Sequence, residues 1–243
     1  MNLNLSGELI SDDWAELYRD YGYEAGFFCP GDLRQAIKNL PEGEELVLEI
    51  NSIGGNVDGG AEIYSLIQGC PNQTRAVIQS MAASAASYMI MACDVVEICL
   101  PAQMMIHCAW GGGPGNKTEH RQHAQMLETC DEAILDCYAK RCQGKTSRED
   151  LKAMMEAETF IGSAQAVALG LADKIVGAEA AEETPMVAAS VCNNLVRAMR
   201  VLPDVQELLS RRENTQAERD RAALELELER FRELSGESGL LAE

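Results

Sequence analysis

Apolar positions in the first 110 residues fall into short runs separated by stretches with helical spacing. Leu3 to Ile10 alternates apolar and polar residues and predicts a first strand. Residues 11–28 are acidic and aromatic, with Trp14, Tyr18, Tyr21, Tyr23, Phe27 and Phe28, and no period assigns them an element. Pro30-Gly31-Asp32 then starts a helix carrying Leu33, Ala36, Ile37 and Leu40 at helical spacing, and Pro41-Glu42-Gly43 ends it. Leu46–Ile50 is a short buried strand that runs into the glycine turn Asn51-Ser52-Ile53-Gly54-Gly55-Asn56. A helix from Gly59 to Gln68 follows, then a strand over Arg75–Ile78, a helix over 84–92, and strands over 95–100 and 103–107. Strands alternating with helices predict parallel β/α units with right-handed crossovers. In such sheets functional groups gather where strand ends meet helix starts, and Gly54-Gly55 and Ser84 both lie at such junctions.

Beyond residue 110 the pattern lengthens. Residues 116–143 read as one long helix with a partial apolar stripe that includes Met126, Ala133, Ile134, Cys137 and Tyr138. Thr146 to Asp150 is a capped start to a short helix over 151–155. After Val176 the character changes again. Residues 177–185 form an acidic, alanine-rich linker, and 186–243 form a helical extension broken at Pro203. Within it Ala217, Leu224, Leu228, Phe231 and Leu234 stand near heptad positions, which suits either a coiled coil or a solvated single helix. The expected organisation is a domain over 1–176, a linker and an extension.

Composition narrows the function. The 243 residues carry 39 Asp and Glu against 20 Lys and Arg, for a net charge of −19. Phosphate partners need Lys and Arg, so nucleic acid is excluded, and anionic membrane surfaces are repelled. No basic segment with an apolar run opens the chain, and no apolar run reaches the roughly 18 residues of a membrane span, so a cytoplasmic protein is expected. The nine cysteines include no C-x-x-C pair; reduced, buried thiols are expected rather than disulfides or a structural zinc.

The candidate chemistry centres on Gln79 to Tyr88. Ser84 has two alanines on each side, which leaves room for another chain to lie against the backbone. A helix beginning there directs free N–H groups at whatever binds, which suits nucleophilic acyl transfer. The same residues also suit a tightly packed helix start with no chemical role. The glycine turn is not a Walker loop, since no lysine lies between Lys38 and Lys117, and its glycines do not give G-x-G-x-x-G. It fits a tight turn needing positive φ, whose amides can donate to an oxyanion. Of three histidines, His120 and His123 sit three apart on a polar helix, as a solvated face or a metal pair. His107, at the end of an apolar strand, is the candidate base.

The order Ile50-Asn51-Ser52-x-Gly54-Gly55, Met81-Ala82-Ala83-Ser84-Ala85-Ala86 and Met105-Ile106-His107, followed by Glu156 to Asp173, resembles the proteolytic subunit of the Clp protease over about residues 3–176. The likeness is strongest to the phage prohead, or head-maturation, branch of ClpP-like proteases. The resemblance implies an α/β fold, the ClpP/crotonase-like spiral of parallel β/α units, with 116–143 as a projecting handle helix that joins subunits into a homo-oligomer. It implies Ser84 as nucleophile, His107 as general base, Glu158 as the acidic member and the Gly55 and Ala85 amides as oxyanion hole, with no cofactor. Asp173 is the other carboxylate to consider. Glu158 stands where Clp subunits usually carry Asp, Ile53 where they carry Pro, and Cys108-Ala109 where they tend to carry Gln-Pro. Protein or peptide substrates are implied, with capsid or scaffold protein, or an AAA+ ATPase, as partner. Two alternatives are a catalytically silent structural homologue and a crotonase-like acyl-CoA enzyme. A Ser-Lys dyad is disfavoured, because no lysine lies near these motifs.

Overall fold

The computed structural model describes residues 1–177. The linker, beyond Gly177, and the extension over 186–243 lie outside the described residues. Strand β1 (Asn2–Leu9) leads into helix α1 (Asp12–Asp20), strand β2 (Phe27–Phe28) and helix α2 (Pro30–Asn39). Strand β3 (Leu46–Gly55), helix α3 (Val57–Gln68), strand β4 (Thr74–Ala83) and the short helix α4 (Ala85–Met89) follow, with a 3-10 turn over Ile90–Ala92. Then come β5 (Val95–Cys99), β6 (Gln103–Ile106), α5 (Lys117–Cys142), α6 (Arg148–Glu156), β7 (Thr159–Gly162), α7 (Ser163–Leu169) and β8 (Lys174–Val176).

The sheet runs β2-β1-β3-β4-β5-β8 with parallel pairing throughout, and β6 leaves this path to pair in parallel with the far end of β4. Among the described residues only β7, which pairs with β6, is antiparallel. Strand β3 is buried on both faces at Leu46, Val47, Leu48 and Ile50, as a central parallel strand must be. Ile63 and Ile67 of α3 close one side of that layer, and Ile78, Met89 and Ile98 join it in a continuous core. This mixed α/β architecture, a largely parallel sheet with seven described helices, agrees with the expected fold class.

Several elements depart from the sequence pattern. Residues 11–28 hold a helix, α1, because Ala15 and Tyr18 bury one face and Asp12 and Asp13 occupy its first turn. Strand β3 does not stop at Ile50 but runs through the glycines, paired with β1 across a register shift at Gly7 and Glu8. Strand β4 likewise runs to Ala83, because its end pairs with β6 rather than β5.

Helix α5 opens with a capping box in which Asn116 Oδ1 accepts from the Glu119 N–H at 3.3 Å and Glu119 Oε2 accepts from the Asn116 N–H at 2.6 Å. Its buried residues, Ile134, Leu135, Tyr138 and Cys142, all lie in the second half. From Lys117 to Ala133 no residue is buried, and Met126 is 54% exposed. Asp173 has a structural place: its Oδ2 accepts from the Val96 N–H at 2.7 Å and is bound by Arg141, which also donates to the Cys93 carbonyl at 2.7 Å. The eight cysteines among the described residues are free thiols, and no described helix is long and apolar enough to cross a membrane.

Candidate active site

The pairing of β4 with β6 brings the serine and the histidine together. Their last ladder pair is Ala83 with Met105, so Ser84 and His107 both emerge just past it. His107 Nε2 lies 2.7 Å from Ser84 Oγ, a full hydrogen bond. With the ring proton on Nδ1, Nε2 accepts the serine hydroxyl.

Ser84 takes a backbone conformation with φ 54 and ψ −128, in a region that a side chain disfavours. Three hydrogen bonds hold it. Its N–H donates to the Met105 carbonyl at 2.9 Å, and its carbonyl accepts from the Ser87 N–H at 2.9 Å and the Ser87 hydroxyl at 2.6 Å. Strain over-determined in this way is a mark of functional sites, and a nucleophile on a sharp strand-to-helix turn is one form of it. Ala85 is the first residue of α4, so its N–H has no helical acceptor.

The glycine turn lies directly against this serine. A Cβ on Gly54 would stand 2.7 Å from the Ser84 Cβ and 2.8 Å from the Ala85 nitrogen, so only glycine fits. Gly54 and Gly55 also have φ of 90° and 147°. Ser52 braces the turn, its hydroxyl donating to the Gly7 carbonyl at 2.6 Å and accepting from the Gly54 N–H at 3.0 Å. Ile53 in place of proline therefore leaves the turn fixed by hydrogen bonds instead of by a ring.

His107 is buried, 6% exposed. Glu158 sits immediately before β7, and the antiparallel register pairs Ile106 with Thr159. Glu158 has φ 51 and ends α6 where glycine is the usual residue, its N–H donating to the Met155 carbonyl at 3.1 Å. Burial holds the His107 imidazole below its ordinary 6.5, and the charges of Glu158 and then Asp131 oppose that shift. An imidazole held in this way stays neutral into mild acid. The acid limb of kcat/KM is therefore expected below the ordinary imidazole value, and Glu158→Gln, which removes an opposing charge, should move it lower still. A pH profile of the catalysed rate checks both.

Asp131 gave no signal in the sequence. Its Oδ1 accepts from the Ala109 N–H at 2.6 Å, just beyond His107. The neighbouring Cys108 thiol is pushed up to about 11, by burial first and by the Asp131 charge next, so it stays protonated and does not compete as nucleophile. His120 and His123 stand on α5, away from this arrangement in sequence, and among the described residues no group of three or more His, Cys, Asp or Glu could hold a metal ion.

A strained serine bonded to a buried histidine, beside glycine and helix-start amides, can carry out acyl transfer through a covalent intermediate. The family model for Clp protease matches residues 36–179, more than half of the chain and the whole of this arrangement.

Proposed function

Because this chain belongs to the Clp protease family, a family of peptidases, we propose that it is a serine endopeptidase working through Ser84, His107 and Glu158. The observation that carries the reading is the 2.7 Å bond between His107 Nε2 and the oxygen of a serine held at φ 54. His107 takes the hydroxyl proton as Ser84 Oγ attacks the peptide carbonyl carbon. The carbonyl oxygen becomes an oxyanion, and the N–H groups of Gly55 and Ala85 donate to it. Glu158 holds the imidazole in the tautomer with Nδ1 protonated and stabilises the imidazolium. The imidazolium returns its proton to the leaving amine as the C–N bond breaks. Water, activated by the same imidazole, then releases the acyl group and restores Ser84.

A fluorophosphonate probe tests this assignment. Labelling of the wild-type chain, lost in both Ser84→Ala and His107→Ala, is the expected result. A wild-type chain that stays unlabelled would leave a silent structural homologue as the better reading.

Family membership implies a protein substrate and an oligomeric assembly. Within the family, the resemblance to the phage head-maturation branch and the segment 186–243 favour capsid or scaffold protein as substrate. In this reading the exposed first half of α5 is the handle that joins subunits, and 186–243 recruits the substrate. A chain ending at Val176 is then expected to cleave short peptides at the full rate and to lose processing of the large protein. Full processing by that shorter chain, or activity that depends on an added AAA+ ATPase, would count against the recruitment role.

A further inference from the structure

Helix α5 touches the site at two points on one face. Asp131 and Tyr138 are seven residues apart, two helical turns and about 10 Å along the axis. Asp131 Oδ1 holds the Ala109 N–H at 2.6 Å. Cys108 and Ala109 also pack against the core, and the glycine segment Gly111-Gly112-Gly113 follows Trp110. The resembled Clp subunits carry proline at this position, which has no N–H to offer; alanine makes the bond available here.

The second point is a buried hydroxyl chain. The Tyr138 hydroxyl lies 2.6 Å from Ser87 Oγ, and both side chains are fully buried. Ser87 has one hydroxyl hydrogen, and it goes to the Ser84 carbonyl at 2.6 Å. Tyr138 must therefore donate to Ser87, giving the order Tyr138 O–H to Ser87 O–H to Ser84 carbonyl. Burial pushes the tyrosine hydroxyl far up, so it stays a donor at any working pH. The Ser84 carbonyl belongs to the same planar peptide unit as the Ala85 N–H. Fixing the carbonyl on one side aims the N–H on the other.

We infer that Asp131 and Tyr138 are positioning residues, the first setting the segment that carries His107 and the second aiming the Ala85 N–H at the oxyanion. The inference rests on the serine-peptidase reading above. Each acts through a neighbour, Asp131 through the Ala109 N–H and Tyr138 through the Ser87 hydroxyl. Both act on alignment in the transition state, so their loss appears in kcat and leaves KM unchanged.

The test uses the full chain with a peptide substrate and the fluorophosphonate probe. Tyr138→Phe and Ser87→Ala are each expected to lower kcat by about tenfold or more, since one oxyanion donor is misdirected. The double variant should be no worse than Ser87→Ala, because both break one chain. Asp131→Ala should lower kcat by a similar factor, and Asp131→Asn, which keeps an acceptor oxygen, should recover most of it. Should Tyr138→Phe fail to fold, the Asp131 pair and Ser87→Ala decide alone. If the wild-type chain is labelled at Ser84 while these variants keep kcat, or lose only thermal stability or KM, the positioning role is overturned and the serine-peptidase reading stands. An unlabelled wild-type chain overturns both.

Discussion

Ser84→Ala is expected to lower peptide cleavage by at least about 10⁴-fold while leaving the fold intact, as read by initial rates and a thermal melt. The hydroxyl is the only group removed. The Met105 carbonyl still receives the residue's N–H, and Ser87 still holds its carbonyl, so the turn keeps its three hydrogen bonds. The structural cost is the loss of one partner for His107 Nε2, about 1 kcal/mol. Residual activity above the uncatalysed rate would come from substrate binding and the oxyanion donors alone. A variant that cleaves at the wild-type rate would remove Ser84 from the mechanism.

Gly54→Ala is the second large effect, and it acts through shape alone. The added methyl would lie 2.6 Å from the Ala83 carbonyl oxygen, 2.7 Å from the Ser84 Cβ and 2.8 Å from the Ala85 nitrogen. Two of these three neighbours are backbone atoms, so no side chain can swing away to make room. The φ of 90° adds strain of its own for any residue with a Cβ. Stability should fall by roughly 2–4 kcal/mol, combining overpacking with an unfavourable backbone. Activity should fall further than stability accounts for, because relief of the clash pushes the serine and the Ala85 amide out of line. Comparing kcat on the folded fraction with the melting temperature separates the two. Wild-type kcat in a folded Gly54→Ala chain would show that the turn is looser than its contacts indicate.

The serine turn was legible in the sequence because its demands are local. Two alanines on each side of Ser84 and two glycines after Ile53 are what close backbone approach requires, and both signals lie within a few residues. The strand ends were not legible, since Gln79 and Ser80 are exposed and polar, and only pairing beyond them with β6 carries β4 to Ala83. Helix α1 was hidden because its aromatic residues serve tertiary packing: Tyr18 stacks on Phe27 at 5.5 Å and edge-on against Tyr23 at 6.1 Å. Its Asp12 accepts from the Gly31 N–H at the start of α2, a partner 19 residues away. Asp131 and the Ser87–Tyr138 bond were beyond reach for the same reason, with partners 22 and 51 residues apart and no local period to announce them. Glu158 could be placed in the sequence only by resemblance; the fold adds that it directly precedes β7, whose Thr159 pairs with Ile106.

The order of the elements along the chain has a consequence for biosynthesis. Ser84 and His107 lie just past the ends of β4 and β6, with α4, the 3-10 turn and β5 between them in the chain. Glu158, Asp131 and Tyr138 all come later, on elements that a ribosome delivers after the serine and histidine have emerged. A growing chain therefore holds Ser84 and His107 before it holds helix α5 or Glu158. On the serine-peptidase reading proposed above, peptidase competence therefore waits on translation reaching β7.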